Sequence, residues 1–221
     1  MLYYKYILKG GLMINQTIFS VAINEARRIA KEDITKTQIG SVKHLLFGEQ
    51  ISMQSVSIKF GKVFENMFIE HIKNHNNFQL GDIGVQKTSQ EKKKDFDLVF
   101  IDTTLNTVYY RELKANINLD SEKLPATIEK VKFLERELSK KYPTYKIDSG
   151  VLCPSVYSLD DLGGTKISNK PAIFEKGGVK VDFAHDLFSI LDIHCTKDQF
   201  YSFFKELGQI ITQNTRSEQN E

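Results

Sequence analysis

Three side chains near the middle of this sequence carry charges that their surroundings do not explain. Residues 92 to 116 read KKKDFDLVFIDTTLNTVYYRELKAN. Two β-branched and aromatic runs flank a Thr/Asn-rich turn, which predicts an antiparallel hairpin. Asp97 opens the first run, and Glu112 and Lys114 close the second. Charges inside such runs are costly unless something pairs with them. A four-residue loop over Thr103 to Asn106 sets Asp97 opposite Glu112. A two-residue loop at Leu105-Asn106 sets it opposite Lys114 and diagonal to Glu112. In either register all three share one face with Val99, Ile101, Val108 and Tyr110, because side chains alternate along a strand.

Carboxylates directly opposed across a strand pair have Cβ atoms about 5 Å apart. Two like charges that close repel unless a proton or a cation intervenes, and oxygen ligands at this spacing suit Mg²⁺. Magnesium takes few protein carboxylates and keeps several waters, which leaves room for phosphate oxygens and a water nucleophile. Lys114 on the same face can hold that water or stabilise charge on the phosphate. The chemistry such a set can perform is phosphodiester hydrolysis.

The elements that must position these groups follow from periodicity. Residues 14 to 32 recur apolar at helical spacing, with Ile14, Ile18, Val21, Ala22 and Ala26 on one side. Residues 51 to 74 form a longer helix whose Val56, Phe60, Val63, Phe64 and Met67 make one stripe, opposite Lys59, Lys62, Asn66, Glu70 and Lys73. Glu65 falls instead among Ile58, Phe68, Ile69 and Ile72, where a carboxylate wants a partner. A short strand at 79 to 86 precedes the hairpin. A helix over 121 to 141 ends at the Tyr142-Pro143 break. Residues 145 to 153 read as a strand, 162 to 181 as a long loop or hairpin, and 182 to 192 and 198 to 213 as helices. The end from 214 to 221 reads as a flexible tail. The pattern is an α/β or α+β layer fold.

A strand beginning with Asp, then Glu-x-Lys on the next strand, after a helix that contributes a Glu, resembles the PD-(D/E)XK nuclease superfamily, and within it the type II restriction endonucleases. The residues that carry the resemblance are Asp97, Glu112-Leu113-Lys114 and Glu65, within residues 56 to 155. Phe96 stands where the motif has Pro, and Asp95 is a rival carboxylate. The resemblance implies a restriction-endonuclease-like α/β fold, a central mixed β-sheet flanked by helices. It implies Mg²⁺ held by Asp97, Glu112 and the Leu113 carbonyl, with Lys114 assisting the attacking water and Glu65 supporting the metal or its water. It further implies a homodimer cutting double-stranded DNA at a palindromic site, with a cognate methyltransferase as a separate protein. The alternatives are a structure-specific nuclease of repair or recombination, and a non-catalytic nucleic-acid-binding module.

Phosphate or base contacts are assigned to Lys92, Lys93 and Lys94 at the entry to the first strand, to Asn116 and Asn118 after the second, and to Lys166, Ser168, Asn169 and Lys170 in the later loop. Each group also fits a solvated turn. The five histidines lack metal-binding spacing, and no GxSxG, Walker or GxGxxG motif is present. The 221 residues, 41% hydrophobic and 26% charged, suit one soluble domain. A net charge of +2 puts any nucleic-acid surface in a local patch. Two cysteines, Cys153 and Cys195, exclude a disulfide framework and fit a reducing cytoplasm. No apolar run spans a membrane, and the first residues lack an export signal. Lys9-Gly10-Gly11 can be encoded as AAAGGAGG, resembling a ribosome-binding site, which makes Met13 a candidate start of translation beside Met1.

Overall fold

A computed structural model describes residues 19–25, 27–28, 53–81, 86–87, 93–114, 117, 123–163 and 169–217. The chain divides into two compact units, Met1–Met67 with Cys195–Glu221, and Phe68–His194. The division falls within helix α1 (Met53–Lys73).

In the first unit, residues 19–25 and 27–28 are helical, within the helix expected over 14 to 32. They are joined by the first part of α1 and by a C-terminal helix, Lys197–Ser217. The apolar stripes read from the sequence become its core: Ala22, Val63, Phe64, Met67, Phe200, Phe203 and Leu207 are buried. Aromatic rings do much of the filling, with Phe60, Phe64, Phe200 and Phe203 all within ring contact of Phe204. Asn66, expected on the wet side of α1, instead donates to Glu25 Oε1 at 3.0 Å.

The second unit is built on a sheet. Its strands are β1 (Phe78–Leu80), β4 (Leu98–Asp102), β5 (Thr107–Leu113), β6 (Lys146–Cys153) and β7 (Lys180–Phe183), in that spatial order. Strands β2 (Gln86–Lys87) and β3 (Lys93–Lys94) form a separate antiparallel ribbon. The strand expected over 79 to 86 is thus divided between β1 and β2. The pairs β1·β4 and β4·β5 are antiparallel, whereas β5·β6 and β6·β7 are parallel, so the sheet is mixed. A parallel neighbour needs a crossover. Helix α2 (Lys123–Lys141) supplies it between β5 and β6.

Helix α2 lays Leu124, Thr127, Val131, Leu134 and Leu138 into a core with Val99, Ile101, Val108, Tyr110, Val151 and Cys153. These strand residues alternate in sequence, so α2 covers the same sheet face that carries Glu112. The stretch expected as a loop or hairpin over 162 to 181 holds helix α3 (Lys170–Lys176) and β7. Pro171 sits in the first turn of α3, where its missing N–H costs nothing, and Phe174 is fully buried. Burial of that ring prevails over the Gly, Ser and Asn composition that suggested a loop. Helices α4 (Ala184–Ile190) and α5 (Lys197–Ser217) complete the order, α4 beginning two residues later than expected because β7 takes Asp182 and Phe183. No helix of the described residues is long and apolar enough to cross a membrane.

Candidate functional site

The hairpin register settles which of the proposed groups meet. Leu98 pairs with Arg111 and Asp102 with Thr107, so the loop is Thr103–Asn106 and position 97 continues the ladder opposite Glu112. The turn chemistry responsible is local. Asp102 Oδ1 accepts from the N–H groups of Thr104 and Leu105, both at 2.8 Å, and Asn106 takes the left-handed conformation at φ 49°. Asn tolerates that conformation better than most side chains.

Asp97 lies just before β4, where its Oδ2 accepts from the Leu113 N–H at 2.9 Å. Its side chain therefore takes the place of a ladder carbonyl and is held against the end of β5. Glu112 points into the face covered by α2 and is only 2% exposed. Its Oε1 accepts from Lys114 Nζ at 2.8 Å, and its Oε2 from the Tyr110 hydroxyl at 2.8 Å. A third partner of Glu112 enters from the helix: Lys130 Nζ stands 2.6 Å from Glu112 Oε2 and 3.5 Å from Asp97 Oδ1. Two carboxylates and two ammonium groups thus form one half-buried cluster at the end of the hairpin.

The two carboxyls respond differently to this setting. Burial disfavours the charge on Glu112, but Lys114 and Lys130 more than offset it and hold the group below the ordinary glutamate value. Burial, and then the charge of Glu112, push Asp97 above the ordinary aspartate value, with Lys130 only partly opposing. A proton entering the pair goes to Asp97. Burial and the neighbouring Glu112 charge also push the Tyr110 hydroxyl up, so it stays a donor.

The donor set suits a hard cation. One ammonium already reaches oxygens of both Asp97 and Glu112, as a single small cation would. Among the described residues no three His, Cys, Asp or Glu side chains gather into a ready-made cage. Such a cation would have two carboxylates, a backbone carbonyl such as that of Leu113, and water, which is the ligand set that magnesium accepts.

The remaining expected residues are placed as follows. Glu65 belongs to the first unit and accepts from Lys62 Nζ at 2.7 Å, one turn away on α1, whereas the other carboxylates belong to the second. Asp95 is exposed. Lys93 and Lys94 form β3, paired with Lys87 and Gln86. Asn169 caps α3 without a side-chain capping bond, and Lys170 opens that helix, half-buried. Lys92, Asn116, Asn118, Lys166 and Ser168, like Met13, lie outside the described residues. His71 bonds the Leu191 carbonyl oxygen through Nε2 at 3.0 Å and is buried, a packing role.

No protein-family model matches this chain, and a search of curated proteins found no match. The reading of the site therefore rests on its own chemistry.

Sequence reasoning missed Lys130. Its signal was nonetheless present, because on a helical wheel it flanks the stripe of Thr127, Val131 and Leu134 that α2 buries. It also missed Arg111, which alternation turns to the opposite face. Fully buried, Arg111 donates through Nε to Asp182 Oδ2 at 2.6 Å and through Nη1 to the carbonyls of Tyr110 and Asp148 at 2.9 and 2.7 Å. Its Nη2 lies 2.8 Å from Asp148 Oδ1. Lys180 Nζ adds a contact at 2.6 Å to that same oxygen.

Proposed function

We propose that this chain is a Mg²⁺-dependent nuclease of the PD-(D/E)XK kind and, within that class, a type II restriction endonuclease acting as a homodimer on double-stranded DNA. The observation that carries the reading is the hairpin register, with the Asp97 side chain bonded to the Leu113 N–H and Lys114 to Glu112, which gathers Asp97, Glu112 and Lys114 at one end of the hairpin. The order of elements supports it: a helix, the antiparallel strands β1, β4 and β5, a crossover helix and a parallel strand β6. A mixed α/β sheet in this order is compatible with the arrangement that the resemblance implies.

Asp97, Glu112 and the Leu113 carbonyl would hold the cation. When bound, magnesium polarises a phosphate oxygen and lowers the pKa of its water. The chain's own groups do the positioning. The Leu113 N–H fixes Asp97, and the Tyr110 hydroxyl fixes the Glu112 carboxylate. Lys114 is 27% exposed at the strand end, so its Nζ has donors left to orient an attacking water or to stabilise the charge that grows on the phosphate. Lys94 lies three residues before Asp97 in sequence, and phosphates of the duplex would meet it and its neighbouring lysines.

The test is incubation of the purified protein with unmethylated phage DNA, with Mg²⁺ or with EDTA, beside Asp97→Asn. Discrete Mg²⁺-dependent fragments, absent with Asp97→Asn, are expected. A smear would replace site-specific cleavage with the structure-specific alternative. DNA left intact across several substrates and metals would overturn nuclease activity and favour the binding module.

A further inference from the structure

Lys114 and Lys130 both touch Glu112, but they are not equivalent. Lys114 belongs to the hairpin itself, at its open end, and contacts Glu112 Oε1 alone. Lys130 arrives from α2, only 18% exposed, and its Nζ reaches across to both acidic groups. The oxygens it touches, Asp97 Oδ1 and Glu112 Oε2, are those a single cation would have to engage together. Two carboxylates and two ammonium groups are already charge-balanced, so a dication entering beside Lys130 would face an uncompensated like charge in a half-buried space that bulk salt screens poorly.

We propose that Lys130 is an internal counter-cation of the site: its ammonium occupies the place between Asp97 and Glu112 in the metal-free protein, and a divalent cation binds by displacing it. The proposal rests on the nuclease reading of the same carboxylates. A lysine suits the task because its single charge sits on a flexible four-carbon stem that can swing aside, whereas an arginine fork would grip both carboxylates. In this role Lys130 sets the cation concentration at which the site fills, and it keeps the buried carboxylates compensated until then.

Binding of Mn²⁺, followed by the loss of its free paramagnetic signal, tests this without any substrate. Wild type, Lys130→Met, Lys130→Arg and Asp97→Asn are titrated in parallel. Lys130→Met, which keeps the stem and removes the charge, should bind Mn²⁺ roughly tenfold more tightly than wild type. Lys130→Arg should bind it more weakly. Binding by the wild type that Asp97→Asn abolishes, with unchanged affinity in both Lys130 variants or with weaker binding by Lys130→Met, would overturn the displacement and leave the nuclease reading standing. If Lys130→Met does not fold, Lys130→Arg decides alone, and an affinity equal to or above wild type overturns the proposal. An absence of Asp97-dependent binding in wild type and both Lys130 variants would remove the metal site and the nuclease reading with it.

Discussion

Neighbouring residues of one strand, Arg111 and Glu112, stand at the centre of two ionic clusters on opposite faces of the same sheet. Each cluster holds two carboxylates and two cations: Asp148 and Asp182 with Arg111 and Lys180, and Asp97 and Glu112 with Lys114 and Lys130. Their formal charge is the same, yet their construction differs. Arg111 is buried completely, and its planar fork is fixed by Asp182 and by two backbone carbonyls. Burial alone would raise Asp148, but Arg111 and then Lys180 hold it below the ordinary aspartate value. On the other face the cations are ammonium groups on flexible stems, and Asp97 is left above its ordinary value. A guanidinium held by two carboxylates and two backbone carbonyls ties strands β5, β6 and β7 together. An acidic pair balanced by two ammonium groups on flexible stems is held by partners that can swing aside.

The sharpest way to break this comparison is to remove one cation from each face. Lys114→Ala should lower the cleavage rate by about 10³ or more while leaving the thermal transition and DNA affinity near wild type. Arg111→Met should do the reverse. It leaves Asp148 and Asp182 without their shared buried partner, at a cost of roughly 3–5 kcal/mol in folding free energy, read from denaturant unfolding. Retained cleavage by Lys114→Ala would take that residue out of the reaction. Wild-type stability in Arg111→Met would show that the second cluster is not a lock.

A smaller effect is expected at Gly150, which pairs with Arg111 on one side and Lys180 on the other. A Cβ there would lie 2.7 Å from Lys180 Cγ and 2.9 Å from the Lys180 carbonyl oxygen. The bare backbone lets the lysine stem cross the sheet to Asp148. Gly150→Ala should force the stem and the strand apart and cost roughly 1–3 kcal/mol in unfolding free energy, with no change in Mn²⁺ affinity at the other face.

The contrast also shows what a sequence can and cannot carry. Asp97, Glu112 and Lys114 were legible because they lie within 18 residues, where strand alternation puts them on one face whatever the loop. Alternation permits either loop register, and the choice depends on the Asp102 carboxylate folding back onto the turn. Lys130 and Arg111 were not found for a different reason. Their partners are set by packing: a helix laid over the sheet in one case, and strands 37 and 71 residues further along in the other. Helix α3 was hidden in a composition that reads as loop, and only the pocket that accepts Phe174 makes it a helix.

The finest test of the comparison is the sign of a pH effect. In the metal-free protein, held in EDTA, Asp97 has its folded value raised. The folded state therefore binds that proton more tightly than the unfolded chain, and its stability falls as pH rises from the ordinary aspartate value through the raised one. Asparagine imitates the protonated acid and can still accept from the Leu113 N–H. Asp97→Asn should consequently melt a few degrees above wild type at pH 7, by roughly 2–4 °C, and the gain should vanish as pH falls through the raised value. Asp148 is the mirror case: its folded value is depressed, so its contribution is complete above the ordinary aspartate value and is lost as pH falls through the depressed one. Asp148→Asn should melt below wild type at pH 7 and converge with it in acid. Melting curves of the three proteins across pH 3 to 8 decide the matter. Two variants that shift in the same direction at pH 7 would mean that the faces are electrostatically alike, and that Asp97 is held as firmly in its charged form as Asp148.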